Sequence, residues 1–101
     1  MDLVRDFARG AVAVHVLHHA CEGEVHGTAL MAELGRHGHR LGPGTLYPLL
    51  HRLEEAGLLS SYPVVVEGHR RRVYVATRSG RRALGRCQSA VRELAEEVLP
   101  R

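Results

Sequence analysis

Hydrophobic residues in this chain recur at helical spacing, break once into alternation, and return to helical spacing at the end. From residue 3 to about 20, Leu3, Phe7, Ala11, Val14 and Leu17, with Ala8 and Val16 beside them, form an apolar band that predicts a first helix. Gly10 within the band suggests close approach by another helix, and Glu22-Gly23-Glu24 ends the segment. A second helix is predicted from about His26 to His37, with Leu30, Met31 and Leu34 inward and Gly35 and Gly38 loosening its end. The third has marked ends. Gly42 serves as N-cap, Pro43 suits the first helical position, and Gly57 stands where a left-handed residue closes a helix, with Leu58 able to touch Leu53.

Within this third helix Leu46, Leu49, Leu50 and Leu53 make one apolar stripe. The opposite face carries Gly44, Thr45, Tyr47, Pro48, His51 and Arg52. A merely solvated face would more often carry Glu and Lys pairs, whereas small, hydroxylic, aromatic and cationic groups suit phosphates and base edges. Two helices joined by a short turn, the second with such a face, predict a helix-turn-helix.

Beyond Leu59 the period changes to that of strands. Tyr62 to Val66 and Arg71 to Thr77 are rich in Val and Tyr, with Glu67-Gly68-His69-Arg70 between them as a turn, which predicts a β-hairpin. Val73 and Val75 alternate with Arg72, Tyr74 and Ala76, so one face is expected to pack and the other to meet solvent or DNA. A helix-turn-helix followed by a hairpin with Arg70, Arg71 and Arg72 at its tip is a winged helix. Thr77 then caps a last helix that runs to about Leu99 and stops at Pro100. Its apolar residues Leu84, Cys87, Val91, Leu94 and Val98 keep the strict seam of a heptad, which favours a dimer element over packing within one chain. The expected fold is therefore mostly α with a small β-hairpin. It consists of a winged helix-turn-helix domain over 1–76 (wing 62–76) and a C-terminal dimerisation helix over 77–101 that packs with helix 1 (3–20).

Composition sharpens the DNA reading. All 14 basic residues are Arg, and net charge is +3 across 101 residues. Arg70, Arg71, Arg72, Arg78, Arg81, Arg82, Arg86 and Arg92 fall between Gly68 and Arg92 without an Asp or Glu. Such a run favours a polyanion, and Arg is the better residue for bidentate phosphate or guanine contact. Cys21 and Cys87 form no Cys-x-x-Cys pair, as expected in a reducing cytosol. Asp2 and Asp6 break any signal-peptide n-region, and no stretch approaches the roughly 18 apolar residues of a membrane span. A cytoplasmic protein with no membrane partner is expected. No nucleophile–base pair, phosphate loop or paired carboxylates in a pocket-like context suggest an enzyme.

The residues from Gly44-Thr45-Leu46-Tyr47-Pro48-Leu49-Leu50 through Arg52-Leu53-Glu54 and Gly57-Leu58 resemble the recognition-helix signature of the PadR family of winged-helix regulators, named for regulators of phenolic acid decarboxylase. Arg70-Arg71-Arg72-Val73-Tyr74 with Thr77, Gly80 and Leu84 is similar to that family's wing and the entry to its last helix, while Gly10 and His26-Gly27 match more weakly. The length resembles the short subfamily with a single C-terminal dimerisation helix. The resemblance implies a homodimeric transcriptional regulator, a repressor released by a small effector; two recognition helices about one helical turn apart predict a pseudopalindromic double-stranded operator, and the histidines add a metal to the small-molecule effectors to be expected. The resemblance also implies that Thr45, Tyr47 and His51 face the operator, that Arg52, Arg70, Arg71 and Arg72 hold phosphates, and that helix 1, with Leu3 and Phe7, joins the last helix in the dimer. His69 is expected on phosphate beside them. Thr28 stands where relatives commonly carry Tyr, and His15 and His19 where they carry aliphatic residues.

Eight histidines are many for this length. His15 and His19 are spaced i,i+4, His18 adjoins them and Cys21 follows, a spacing with which a helix can hold a transition metal. The alternative is scattered polar residues, or core histidines satisfied by hydrogen bonds. No acidic residue is expected at ligand spacing, and His37 and His39 are expected in a loop. No cofactor is expected apart from that metal. The rival to a DNA-binding regulator is a metal-responsive or metal-handling protein built on helix 1.

Overall fold

A computed structural model describes all 101 residues. The elements are α1 (Leu3–Glu22), α2 (Gly27–Arg36), α3 (Pro43–Glu55), β1 (Leu59–Val66), β2 (His69–Ala76) and α4 (Arg78–Val98). The starts of α1, α2 and α4 satisfy donors that the helix itself cannot. Asp2 Oδ1 accepts from the Arg5 amide at 3.1 Å, and His26 Nδ1 accepts from Ala29 at 3.4 Å. Thr77 Oγ1 accepts from Gly80 at 3.0 Å. Helix α3 begins on Gly42 and Pro43 and closes as its sequence predicts. Gly57 has φ +79°, its amide reaches the Glu54 carbonyl at 2.9 Å, and Leu58 reaches Leu53 at 3.0 Å. That is a Schellman ending.

All six elements supply the small core. Val16, Leu17 and Ala20 come from α1, Leu30 and Leu34 from α2, Leu46 and Leu50 from α3, Leu59 from β1, Tyr74 from β2, and Ala83 and Leu84 from α4. Leu34, Leu46 and Leu50 are fully buried, so truncating any one to Ala should cost about 2–5 kcal/mol.

The hairpin differs from its prediction in length and phase. β1 and β2 pair antiparallel from Leu59↔Ala76 to Val66↔His69, so the wing starts at Leu59, not residue 62. The turn is Glu67-Gly68 alone, both at positive φ (52° and 78°), and His69 and Arg70 lie in β2. Two left-handed residues match the twist of paired strands, which is why so short a turn closes this hairpin. Nor does one face stay open along all of β2. Tyr74 joins the core and Ala76 packs against it, while Val73 is buried as well. The α1–α2 connection adds a bridge, with Val25 and Tyr74 exchanging amide–carbonyl bonds of 3.0 and 2.8 Å.

Helix α4 packs on α1 through its first half, where Ala83 and Leu84 are buried. Its second half leaves Val91, Leu94 and Val98 between 45 and 61% exposed, and Leu3 and Phe7 of α1 are equally open. A Cβ on Gly10 would meet nothing, so the close approach expected there is absent within the chain. No helix is long and apolar enough to cross a membrane.

Candidate nucleic-acid interface

The leucine stripe of α3 faces inward, which turns Gly44, Thr45, Tyr47, Pro48, His51 and Arg52 outward together, all exposed. Pro48 has no amide for the carbonyl of Gly44, four residues earlier, and that residue is open to solvent. Tyr47 is only half turned to solvent, because its hydroxyl and ring lie over Gly27, where a Cβ would overlap them. The first residue of α2 therefore seats the tyrosine of this face. His51 Nε2 lies 2.7 Å from Glu55 Oε1, while Arg52 forms no ion pair.

The three arginines of β2 have separate surroundings. Arg70 has no protein partner and lies nearest the turn, next to His69. Arg71 Nη1 is 3.1 Å from His26 Nε2. A neutral imidazole accepts at one nitrogen only, and His26 Nδ1 already faces the Ala29 amide. The two contacts compete, so Arg71 is held weakly and can turn to another acceptor. Arg72 is anchored. Its Nη1 donates to Ser61 Oγ at 3.0 Å, and Ser61 donates in turn to the Glu54 carboxylate at 2.7 and 2.9 Å. That relay ties the wing to the end of α3. Thr77 adds a second tie by donating to the Gly57 carbonyl at 2.6 Å.

The fold also collects cations that chain order separates. A groove of about 830 Å³ runs between α1, the α2–α3 turn and α3, and its lining includes Arg5, Arg9, Arg40, Thr45, Pro48 and Arg52, with no acidic residue. Arg5, Arg9 and Arg40 are not recognisable as part of this surface from local sequence, since more than thirty residues separate the first two from α3. The whole face can take phosphates on arginines and present Thr45, Tyr47 and His51 to base edges.

The other expected sites resolve as follows. Leu3 lies exposed on α1, while Phe7, Leu84, Cys87, Val91, Leu94 and Val98 line an apolar groove of about 1170 Å³ between α1 and α4. His15, His18 and His19 lie together, but Cys21 packs against the core instead. Contrary to expectation an acidic residue joins them, since Glu22 Oε1 is 3.4 Å from His18 Nε2 and 3.6 Å from His19 Nδ1. His37 and His39 also come back onto His15, with ring centroids 4.9 and 5.7 Å away. Burial, and then the neighbouring imidazoles, lower the pKa of His15 below 6.5; burial and His18 do the same for His19, against the pull of Glu22.

Comparison with known proteins agrees with this geometry. A family model described as the transcriptional regulator PadR-like family matches residues 16–86. The transcriptional regulator Rv3488 of Mycobacterium tuberculosis is 58% identical over 96 residues, covering 95% of this chain and 90% of its own. The crystal structure of a PadR family transcriptional regulator from Eggerthella lenta superposes with a TM-score of 0.83 at 33% identity, covering 95% of this chain and 85% of that one. For a PadR-like regulator from Bacillus cereus the TM-score is 0.84 at 24% identity, with 92% of both chains covered, a likeness of fold.

Proposed function

The chain belongs to the PadR-like family of transcriptional regulators, DNA-binding proteins and not enzymes, and from that premise we propose that it acts as a homodimeric repressor of a pseudopalindromic operator. Each α3 enters a major groove with Thr45, Tyr47 and His51 toward the bases. The half-sites lie about one helical turn, roughly 34–36 Å, apart. Arg5, Arg9, Arg40 and Arg52 hold phosphates beside α3, and Arg70 and Arg71 hold those beneath the wing. The observation that carries this reading is the acid-free arginine groove opening directly onto the polar face of α3.

The homodimer forms through the apolar α1–α4 groove, whose members Phe7, Val91, Leu94 and Val98 no part of the same chain covers. Bound across a promoter, such a dimer excludes the polymerase until a small effector releases it. The protein works in the cytosol, where its operator is.

The test is selection from the source genome. Purified protein is mixed with sheared genomic DNA, and bound fragments are sequenced and titrated by fluorescence anisotropy at several salt concentrations. Enrichment of an inverted-repeat fragment, with affinity falling steeply as salt rises, is expected. Fragments enriched no better than bulk DNA would overturn the sequence-specific reading.

A further inference from the structure

The histidines of α1 take no part in the surface described for DNA, yet they form the densest group of ligating side chains in the molecule. We infer that His18, His19 and Glu22 form a site for a divalent transition ion, with Glu33 orienting His19 from behind, and that filling it alters operator binding. The site stands by itself, and its regulatory effect rests on the DNA-binding reading above.

The distances carry the first part. A tetrahedral ion with bonds of about 2.0–2.2 Å to nitrogen and oxygen holds its ligand atoms about 3.3–3.6 Å from each other. His18 Nε2 and His19 Nδ1 lie 3.4 and 3.6 Å from Glu22 Oε1, and all three ligand atoms fall within 4.8 Å of one another. Two edges of the tetrahedron are thus already near the required length. The fourth position faces solvent, since the Glu22 side chain is 63% exposed and that of His18 45%. Two imidazoles and one carboxylate suit the late first-row ions from cobalt to zinc better than calcium or magnesium.

The second observation concerns the far side of His19. Its Nε2 is buried and makes no hydrogen bond, although Glu33 Oε1 lies 3.9 Å away. An imidazole that binds metal through Nδ1 carries its proton on Nε2, and that proton needs an acceptor. Glu33 is positioned for this and is itself held by Arg36 and His37. A simple His–Glu surface pair needs no such backing. The stacked His15 ring, 5.0 Å from His19 at an interplanar angle of 17°, limits how His19 can turn.

Position gives the site its consequence. Glu33 opens the last turn of α2, whose end leads through 37–42 into α3. His18 also lines the apolar α1–α4 groove. An ion that draws His19 toward Glu33 therefore acts on both the approach to the reading helix and the dimer face.

Chelator-stripped protein titrated with cobalt(II) provides the test. One ion per chain, with the intense visible bands of tetrahedral cobalt and displacement by zinc(II), is expected. His18→Ala and Glu22→Gln, both at open positions that cannot unfold the core, should abolish the bands. Glu33→Gln should weaken binding about 10- to 100-fold, the range for an outer partner of a ligating histidine. His51→Ala and His69→Ala, outside the cluster, should leave the cobalt bands and the stoichiometry as they are. No stoichiometric binding at micromolar cobalt, or bands that survive His18→Ala and Glu22→Gln, would overturn the site. Anisotropy on the selected genomic fragment should then shift at least fivefold on adding cobalt, the lower end of ordinary coupling between two sites. Unchanged affinity with cobalt bound would overturn the regulatory effect alone. No DNA binding with or without metal would overturn the operator reading and leave the site standing.

Discussion

Gly27 and Gly80 are both buried, and both exclude a Cβ, yet they should respond differently to one. At Gly27 the obstacle is the far end of the half-exposed Tyr47 side chain, which can swing into solvent. Gly27→Ala should therefore move Tm by only a degree or two. It should nevertheless weaken operator binding several-fold in anisotropy, because Tyr47 loses its seat. At Gly80 the obstacle is the Leu58 carbonyl, with Leu17 Cδ1 at 3.3 Å behind it. Backbone cannot swing away, so Gly80→Ala should cost about 1–3 kcal/mol. A melting curve should show it as a loss of at least several degrees, since about 1 kcal/mol moves a domain of this size by roughly 4–8 °C. Both glycines are visible in the sequence, one inside the His26-Gly27 pair and one after Thr77. Their reasons are not, because Tyr47 and Leu58 lie about twenty residues away along the chain.

At the scale of elements, Thr77 joins three of them. Its hydroxyl caps α4 through the Gly80 amide and donates to the Gly57 carbonyl at the end of α3, just where β2 finishes. Thr77→Ala should cost about 1–2 kcal/mol, near the upper range for a lost cap, and Thr77→Ser should restore most of it in denaturant unfolding. Arg71 belongs to the wing in another sense, since its contact with His26 is weak enough to be exchanged for phosphate. Arg71→Ala should weaken binding to all sequences alike and reduce the salt slope by about one unit. An unchanged slope would mean that β2 does not contact phosphate through this residue. The ends of α3 and the start of α4 were legible because each carries its own chemistry, in the Gly42-Pro43 start, the Gly57 ending and the Thr77 cap, whereas the caps Asp2 and His26 were not read from the sequence. The wing was less so. Ser60 and Ser61 are poor strand signals, and Glu67 at positive φ hides a two-residue turn that Asn-Gly would have announced. Placing that turn two residues too long displaced the expected wing tip onto Arg70–Arg72, whereas the tip is Glu67-Gly68.

The whole molecule is drawn out, measuring 51 × 28 × 25 Å with a radius of gyration of 14.6 Å, against about 13 Å for a compact domain of 100 residues. The excess comes from α4, whose 21 residues extend about 31 Å while only its first half meets the core. The heptad spacing of Leu84, Cys87, Val91, Leu94 and Val98 was legible as a seam, and the structure leaves its last three members uncovered beside Phe7. His15, His18 and His19 were legible as a group, but the arginine groove and the arrival of His37 and His39 on His15 were not, because each joins α1 to the α2–α3 turn across more than fifteen residues. Leu94→Glu tests what the uncovered seam does. A carboxylate placed in a buried apolar interface lacks a partner and its solvation, so the proposed dimer should dissociate to monomers in sedimentation at micromolar concentration. The chain itself should still fold, since Leu94 is 45% exposed within it. Each monomer keeps one reading helix and one wing but loses the partner that binds the second half-site. Operator affinity should then fall by about two orders of magnitude or more, the scale on which linked binding exceeds single binding. A Leu94→Glu protein that sediments as wild type would move the dimer contact away from α4, and the half-site spacing inferred from it would have to be derived again from another face.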